Sequence, residues 1–105
     1  MARFTVYDNS SDKNKSTPYL VDVQTDLLDG LSTRVVIPLR DAKQYKQVKL
    51  PQDLLPQFTI KGNKFVLETP SMAAVPCSLL KKQVCSLKDQ QNLIITAIDR
   101  LFHGF

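Results

Sequence analysis

Hydrophobic and polar positions alternate along residues 3–7, with Phe4 and Val6 on one side and Arg3, Thr5 and Tyr7 on the other. That period of two predicts a first strand with one wet face. Residues 8–17 form a polar tract rich in Ser, Asn and Lys, with nothing to anchor a core, and read as a mobile surface loop. Alternation resumes at residues 19–24. The turn pair Asp29 and Gly30 separates it from the apolar run at residues 35–39, so two more strands are expected. Pro38 cannot donate to a ladder, which predicts that the third strand lies at an edge there or bulges and bends.

Residues 40–55 carry few large apolar side chains, several basic ones and Pro51, and predict a loop with at most a short helical turn. The runs 58–60 and 64–67 flank Lys61, Gly62 and Asn63, a tight-hairpin signal. Residues 72–75, between Pro70 and Pro76, add a short strand. Residues 86–105 predict the one clear helix, with Ser86 and Asp89 resembling a capping box. At about 100° per residue, Leu87, Leu93, Ile94, Ile95, Ala97, Ile98, Leu101, Phe102 and Phe105 share an arc about 200° wide. An ordinary surface helix turns a stripe of only ~100° toward its own core. A second copy covering the surplus would relieve it, so a homodimer joined near this helix is expected.

The chain has 105 residues, which sets an expectation of one domain spanning 1–105. Apolar residues at 43% and charged residues at 23% match a globular composition and argue against disorder or a membrane protein. The formal charge of +4 favours acidic partners without naming one. No apolar run reaches the ~18 residues of a membrane span, and residues 1–7 lack the form of a secretory signal, so a cytoplasmic location is expected. Cys77, Cys85 and His103 are two thiols eight apart and a distant imidazole, short of the about four ligands that a structural zinc site needs. Neither metal nor cofactor is expected.

The last four residues, 102–105, admit two readings. Gly104 can close the helix in the left-handed conformation, with Phe105 folded back and His103 at the negative helix end. Alternatively, an aromatic tail is what a partner-binding tip would show. Asp99 and His103 are four apart on the polar face, but no Ser or Cys lies nearby in sequence to act as nucleophile, so no enzyme is expected. The basic stretch 43–49 reads first as a solvated loop and second as a landing surface for an acidic peptide.

The segments VDVQTDLLDG (21–30), RVVIPL (34–39), MAAVP (72–76) and IDRLFHGF (98–105) resemble the CcdB family, toxins of plasmid and chromosomal toxin–antitoxin modules. The resemblance implies an α+β, mainly β fold: a small antiparallel sheet or barrel of the CcdB/MazF type with a C-terminal helix, homodimeric through helices at its centre. It further implies a poison that acts by binding, entering the cavity of the DNA gyrase A subunits and trapping the enzyme on cleaved DNA. The gyrase-contact residues it implies are Leu27, Leu28, Asp99, Phe102, His103, Gly104 and Phe105. Ile94, Ile98, Leu101 and Phe102 are expected at the dimer interface.

A CcdA-type antitoxin is the other implied partner, wrapping an acidic C-terminal part over the dimer, which the positive charge suits. Its contact loops fall on segments 8–17 and 42–49, with Asp8, Lys13, Lys15, Lys43, Lys46 and Lys49 as candidates. The two proteins together repress their operon, so DNA is met only through the antitoxin, and no membrane is involved. Familiar members end in Trp, Gly and Ile, where this chain has His103, Gly104 and Phe105. The Trp stacks on a gyrase arginine, a contact worth ~0.5–2 kcal/mol. A neutral His103 can stack there and a charged one repels, so weaker poisoning is expected, weaker still in acid, with Phe105 compensating in part through apolar area. Two other functions stay open: a MazF-like endoribonuclease, and a toxin without gyrase activity retained as an antitoxin-binding corepressor.

Overall fold

The computed structural model describes residues 2–10, 16–45, 49 and 51–104. Among these residues seven strands run in chain order: β1 (Thr5–Asp8), β2 (Tyr19–Asp22), β3 (Thr33–Asp41), β4 (Gln57–Ile60), β5 (Asn63–Leu67), β6 (Ala73–Pro76) and β7 (Gln83–Ser86). One helix, α1 (Gln91–His103), follows. The strands pair antiparallel in the order β4-β5-β3-β2-β1-β7, with β6 also on β3, and the sheet curls into a half-barrel. This is the mainly β, α+β architecture expected from the sequence.

The long strand β3 organises the sheet, and Pro38 sits inside it. One side of β3 pairs with β2, including Leu20 opposite Pro38. The other side pairs with β6 over residues 33–36 and with β5 over residues 39–41. Pro38 lies at the changeover, where its carbonyl accepts from the Glu68 amide at 3.0 Å. A strand residue points its N–H and C=O to the same side, so the donor that proline lacks would face the gap between two partners. The expected edge or bulge is therefore corrected: β3 is central there and runs without a register shift against β2.

Alternation serves two buried faces. Phe4, Val6, Val21, Val23, Ile37 and Leu39 join the main core with Phe58, Phe65 and Leu67, and α1 closes it with Ile94 and Ala97. The opposite face of β1 is not wet as expected: Tyr7 packs with Leu20, Val36 and Leu80 in a second cluster. Residues 77–82 supply its lid, through Leu79 and Leu80. Burial raises the Tyr7 phenol above its ordinary pKa, assisted by the nearby Asp22 carboxylate. Its hydroxyl is buried without a hydrogen-bond partner among the described residues.

The hairpin at Lys61 and Gly62 forms as its sequence predicts, with φ of 53° and 82°, the two left-handed residues of a type I′ turn. Among the described residues, Phe4 is the other non-glycine residue with positive φ, at 71°, a conformation that costs an L-residue about 1–2 kcal/mol. Its amide donates to the Asp22 carbonyl at 2.6 Å and its carbonyl accepts from the Leu87 amide at 2.8 Å, so it fastens the end of β2 to the approach to α1.

The helix begins later than expected. Residues 83–86 form the edge strand β7 on β1, and Lys88–Gln90 make a 3-10 turn before α1. Ser86 is not its cap; its Oγ accepts from the Lys88 amide at 3.2 Å, an ST-turn at the strand end. Within α1 the buried arc is narrow, with Ile94 and Ala97 at 0% exposure and Leu93 and Phe102 at 47% and 63%. Ile94→Ala should accordingly cost about 2–5 kcal/mol in urea unfolding and Leu93→Ala less than about 1 kcal/mol. Equal costs would contradict this packing.

Candidate functional site

Two apolar displays stand out on the surface, on different elements. The first is the loop between β2 and β3. Asp26–Leu28 form a 3-10 turn whose Thr25 hydroxyl accepts from the Leu27 amide, and Leu27 projects at 92% exposure, with Leu28 at 49%. Leu31 was not singled out from the sequence, yet it is 52% exposed and its amide donates to the Leu28 carbonyl at 3.2 Å. Three leucines thus share one short loop.

Polar anchors hold this loop from beneath. The Arg34 side chain has no exposure; Nε reaches Asp22 Oδ2 at 2.9 Å, and the terminal nitrogens reach Asp29 Oδ1 at 3.1 Å, Asp26 Oδ1 at 3.2 Å and the Gln24 carbonyl at 3.0 Å. Burial works against the guanidinium charge, but the bonds to Asp22 and Asp26 outweigh it and lift the Arg34 pKa above its ordinary value. Burial raises the Asp22 carboxyl, against the pull of Arg34 and the Gln24 amide. The Arg3 amide also donates to Asp26 Oδ1 at 3.0 Å, and Gln24 Oε1 accepts from the Val35 amide at 3.1 Å. A sequence signal for this clamp exists: Arg34 shares the parity of Val36 and heads the apolar run 35–39, with three Asp residues upstream.

The second display is the end of α1. Phe102 is 63% exposed, Asp99 and His103 are exposed beside it, and Gly104 closes the helix at φ 78°. Its amide donates to the Arg100 carbonyl at 3.1 Å, and its carbonyl accepts from Arg100 Nη1 at 2.6 Å, the left-handed cap read from the sequence. Arg100 Nε also meets Asp53 Oδ2 at 3.2 Å, tying the last turn to the 51–55 segment. Phe105 lies outside the described residues.

The family model described as CcdB protein matches residues 3–104. The chain belongs to the CcdB family. It is a CcdB-type toxin. Leu27, Leu28, Asp99, Phe102, His103 and Gly104 of this CcdB chain are all exposed, the leucines on the loop and the others on the helix tip. Of the residues expected at a dimer interface, Ile94 has no accessible surface and packs in the chain's own core. Ile98 and Leu101 are half-buried and Phe102 is open. No helix among the described residues is long and apolar enough to cross a membrane.

The expected antitoxin contacts are spread around another part of the surface. Asp8 ends β1 and pairs with Lys82 at 3.6 Å; Lys43 and Lys49 are exposed; Lys13, Lys15 and Lys46 lie outside the described residues. Asp8 also borders a cleft of about 570 Å³ lined by Tyr19, Leu79, Lys81 and Lys82. Lys43 sits on the 3-10 turn Ala42–Tyr45, which Glu68 fastens to the sheet. The Glu68 carboxylate accepts from Arg40 Nε, the Tyr45 hydroxyl and the Ser71 hydroxyl. Burial opposes its charge, but Arg40, Ser71 and Tyr45 together pull its pKa down to about 2. Burial and this carboxylate push the Tyr45 phenol up to about 12.

Because the folded value for Glu68 lies below the ordinary 4.5, its contribution is complete above pH 4.5 and fades as pH falls toward about 2. Glu68→Gln should lower stability by about 1–2 kcal/mol at pH 7, less than the shift alone implies because the cluster is partly solvated. Chemical denaturation of both proteins from pH 7 to pH 2.5 checks this. A gap that fails to narrow in acid would refute the assignment.

Proposed function

We propose that this CcdB-family chain poisons DNA gyrase: as a homodimer it enters the space between the gyrase A subunits and holds the enzyme on cleaved DNA. The observation that carries the reading is the family match over residues 3–104 together with the exposure of Leu27, Leu28 and Phe102. The mechanism is binding. Burying one large apolar side chain such as Phe102 contributes about 1.5–3 kcal/mol, and a twofold assembly doubles each contact. The half-buried Ile98 and Leu101 supply the apolar surface through which two helices meet, leaving the open Phe102 for gyrase.

A CcdA-type antitoxin neutralises the toxin, with Asp8, Lys43 and Lys49 among its contacts, and the pair represses its own operon in the cytoplasm, the toxin reaching DNA through the antitoxin. His103 favours one further reading. It stands where familiar members carry Trp, and a chain weakened at that position would persist as an antitoxin-binding corepressor.

Induced expression in a gyrase-proficient strain, beside one whose gyrase A subunit resists CcdB, separates these functions. Death in the first alone is expected. Death in both points to RNA cleavage or another target, and survival in both to the corepressor. In a purified gyrase cleavage assay, Phe102→Ala should lower potency at least tenfold while leaving the fold intact, and His103→Trp should raise potency by up to about tenfold. Unchanged potency in Phe102→Ala would refute the helix tip as a contact.

A further inference from the structure

We infer that Arg34 is a positioning residue for gyrase recognition, setting the pose in which Leu27, Leu28 and Leu31 are offered while touching no partner itself; the inference rests on the proposed function. Its side chain has no accessible surface, so a direct contact is excluded in this conformation. Its hydrogen bonds divide between two kinds of partner. Nε, at 2.9 Å, and Nη2, at 2.8 Å, both meet Asp22 Oδ2 at the end of β2, itself 0% exposed, and anchor the guanidinium in the sheet. The terminal nitrogens go up to Asp26, Asp29 and the Gln24 carbonyl, all in the loop that carries the leucines.

Asp26 and Asp29 are 56% and 52% exposed, so a wholly solvated loop would lose little by leaving them in water. What the guanidinium adds is a fixed orientation. Asp26 opens the 3-10 turn and its carbonyl accepts from the Asp29 amide at 3.2 Å, so one planar fork grips both ends of the turn that lifts Leu27. The Leu31 amide, bonded to the Leu28 carbonyl, carries the turn one step further. An apolar knob held in its bound pose avoids the ordering cost that a loose loop meets on association. A lysine cannot replace the fork, because one ammonium lacks the planar spread of donors.

Two variants test this with the full-length protein and gyrase holoenzyme. Asp26→Asn with Asp29→Asn weakens the upper contacts and leaves the buried Arg34–Asp22 pair intact. Arg34→Lys weakens the same contacts at a position that no partner can reach. Both should need on the order of tenfold more protein to trap gyrase on cleaved DNA. In both, the amides of Leu28, Asp29 and Leu31 should exchange faster with deuterium, while those of β2 and β3 keep their protection. Melting of the double variant should stay within about 3 °C of wild type.

If Arg34→Lys does not fold, the double variant decides alone. Wild-type potency in a folded variant, or wild-type exchange in the loop, overturns the inference. Loss of sheet protection along with potency would also overturn it, marking Arg34 as a fold staple only. Should the wild-type protein itself trap no gyrase, the proposed function falls and this inference with it, whereas potency lost by neither variant removes the inference alone.

Discussion

A guanidinium without access to water needs every donor occupied, and that requirement shapes the loop between β2 and β3. Arg34 stands on the second face of the sheet, near Asp22 on the neighbouring strand, and the pair satisfies part of the fork. The remaining donors can be satisfied only if the intervening chain folds back over them. The β2–β3 loop does so with two side-chain carboxylates and a main-chain carbonyl. Removing one member of such a pair would strand a buried charge, a loss of about 3–5 kcal/mol. The sheet and the exposed leucines are therefore joined by one electrostatic fixture.

The helix divides its apolar side chains differently. Ile94 and Ala97 belong to the chain's own core, whereas Leu93 and Phe102 lie on opposite flanks of that seam and remain open. A fold of this size has a limited core, and giving it only two fully buried helical residues leaves the rest of the arc for other surfaces. The tip is kept in register by Arg100, which meets both Asp53 and the Gly104 carbonyl. Loop and tip are thus each braced by an arginine, one buried and one exposed.

What could be read from the residues follows the distinction between local and distant causes. The Lys61–Gly62 hairpin, the apolar strands and the glycine cap are dictated by side chains within a few positions, and they were legible. β7 was not: its four residues are exposed or half-buried, carry no alternation, and become a strand only because β1 offers them a ladder. The helix start misled because Ser86 and Asp89 have the spacing of a cap, while the chain uses Ser86 to leave the strand. The second core under Tyr7 depends on Leu80, more than seventy positions away, which no local period announces. Leu27 and Phe102 were legible as site candidates through resemblance; the exposure of Leu31 and the role of Arg34 come only from how the loop closes.

The placement of Pro38 has a meaning for assembly of the sheet. Only one step of β3 can tolerate a missing donor, the step at which β6 ends and β5 begins. Sliding β3 by one residue would carry that deficiency into a continuous ladder and turn Ile37 and Leu39 out of the core. The imino acid thus works as an alignment pin, penalising misthreaded sheets while asking nothing of the finished one.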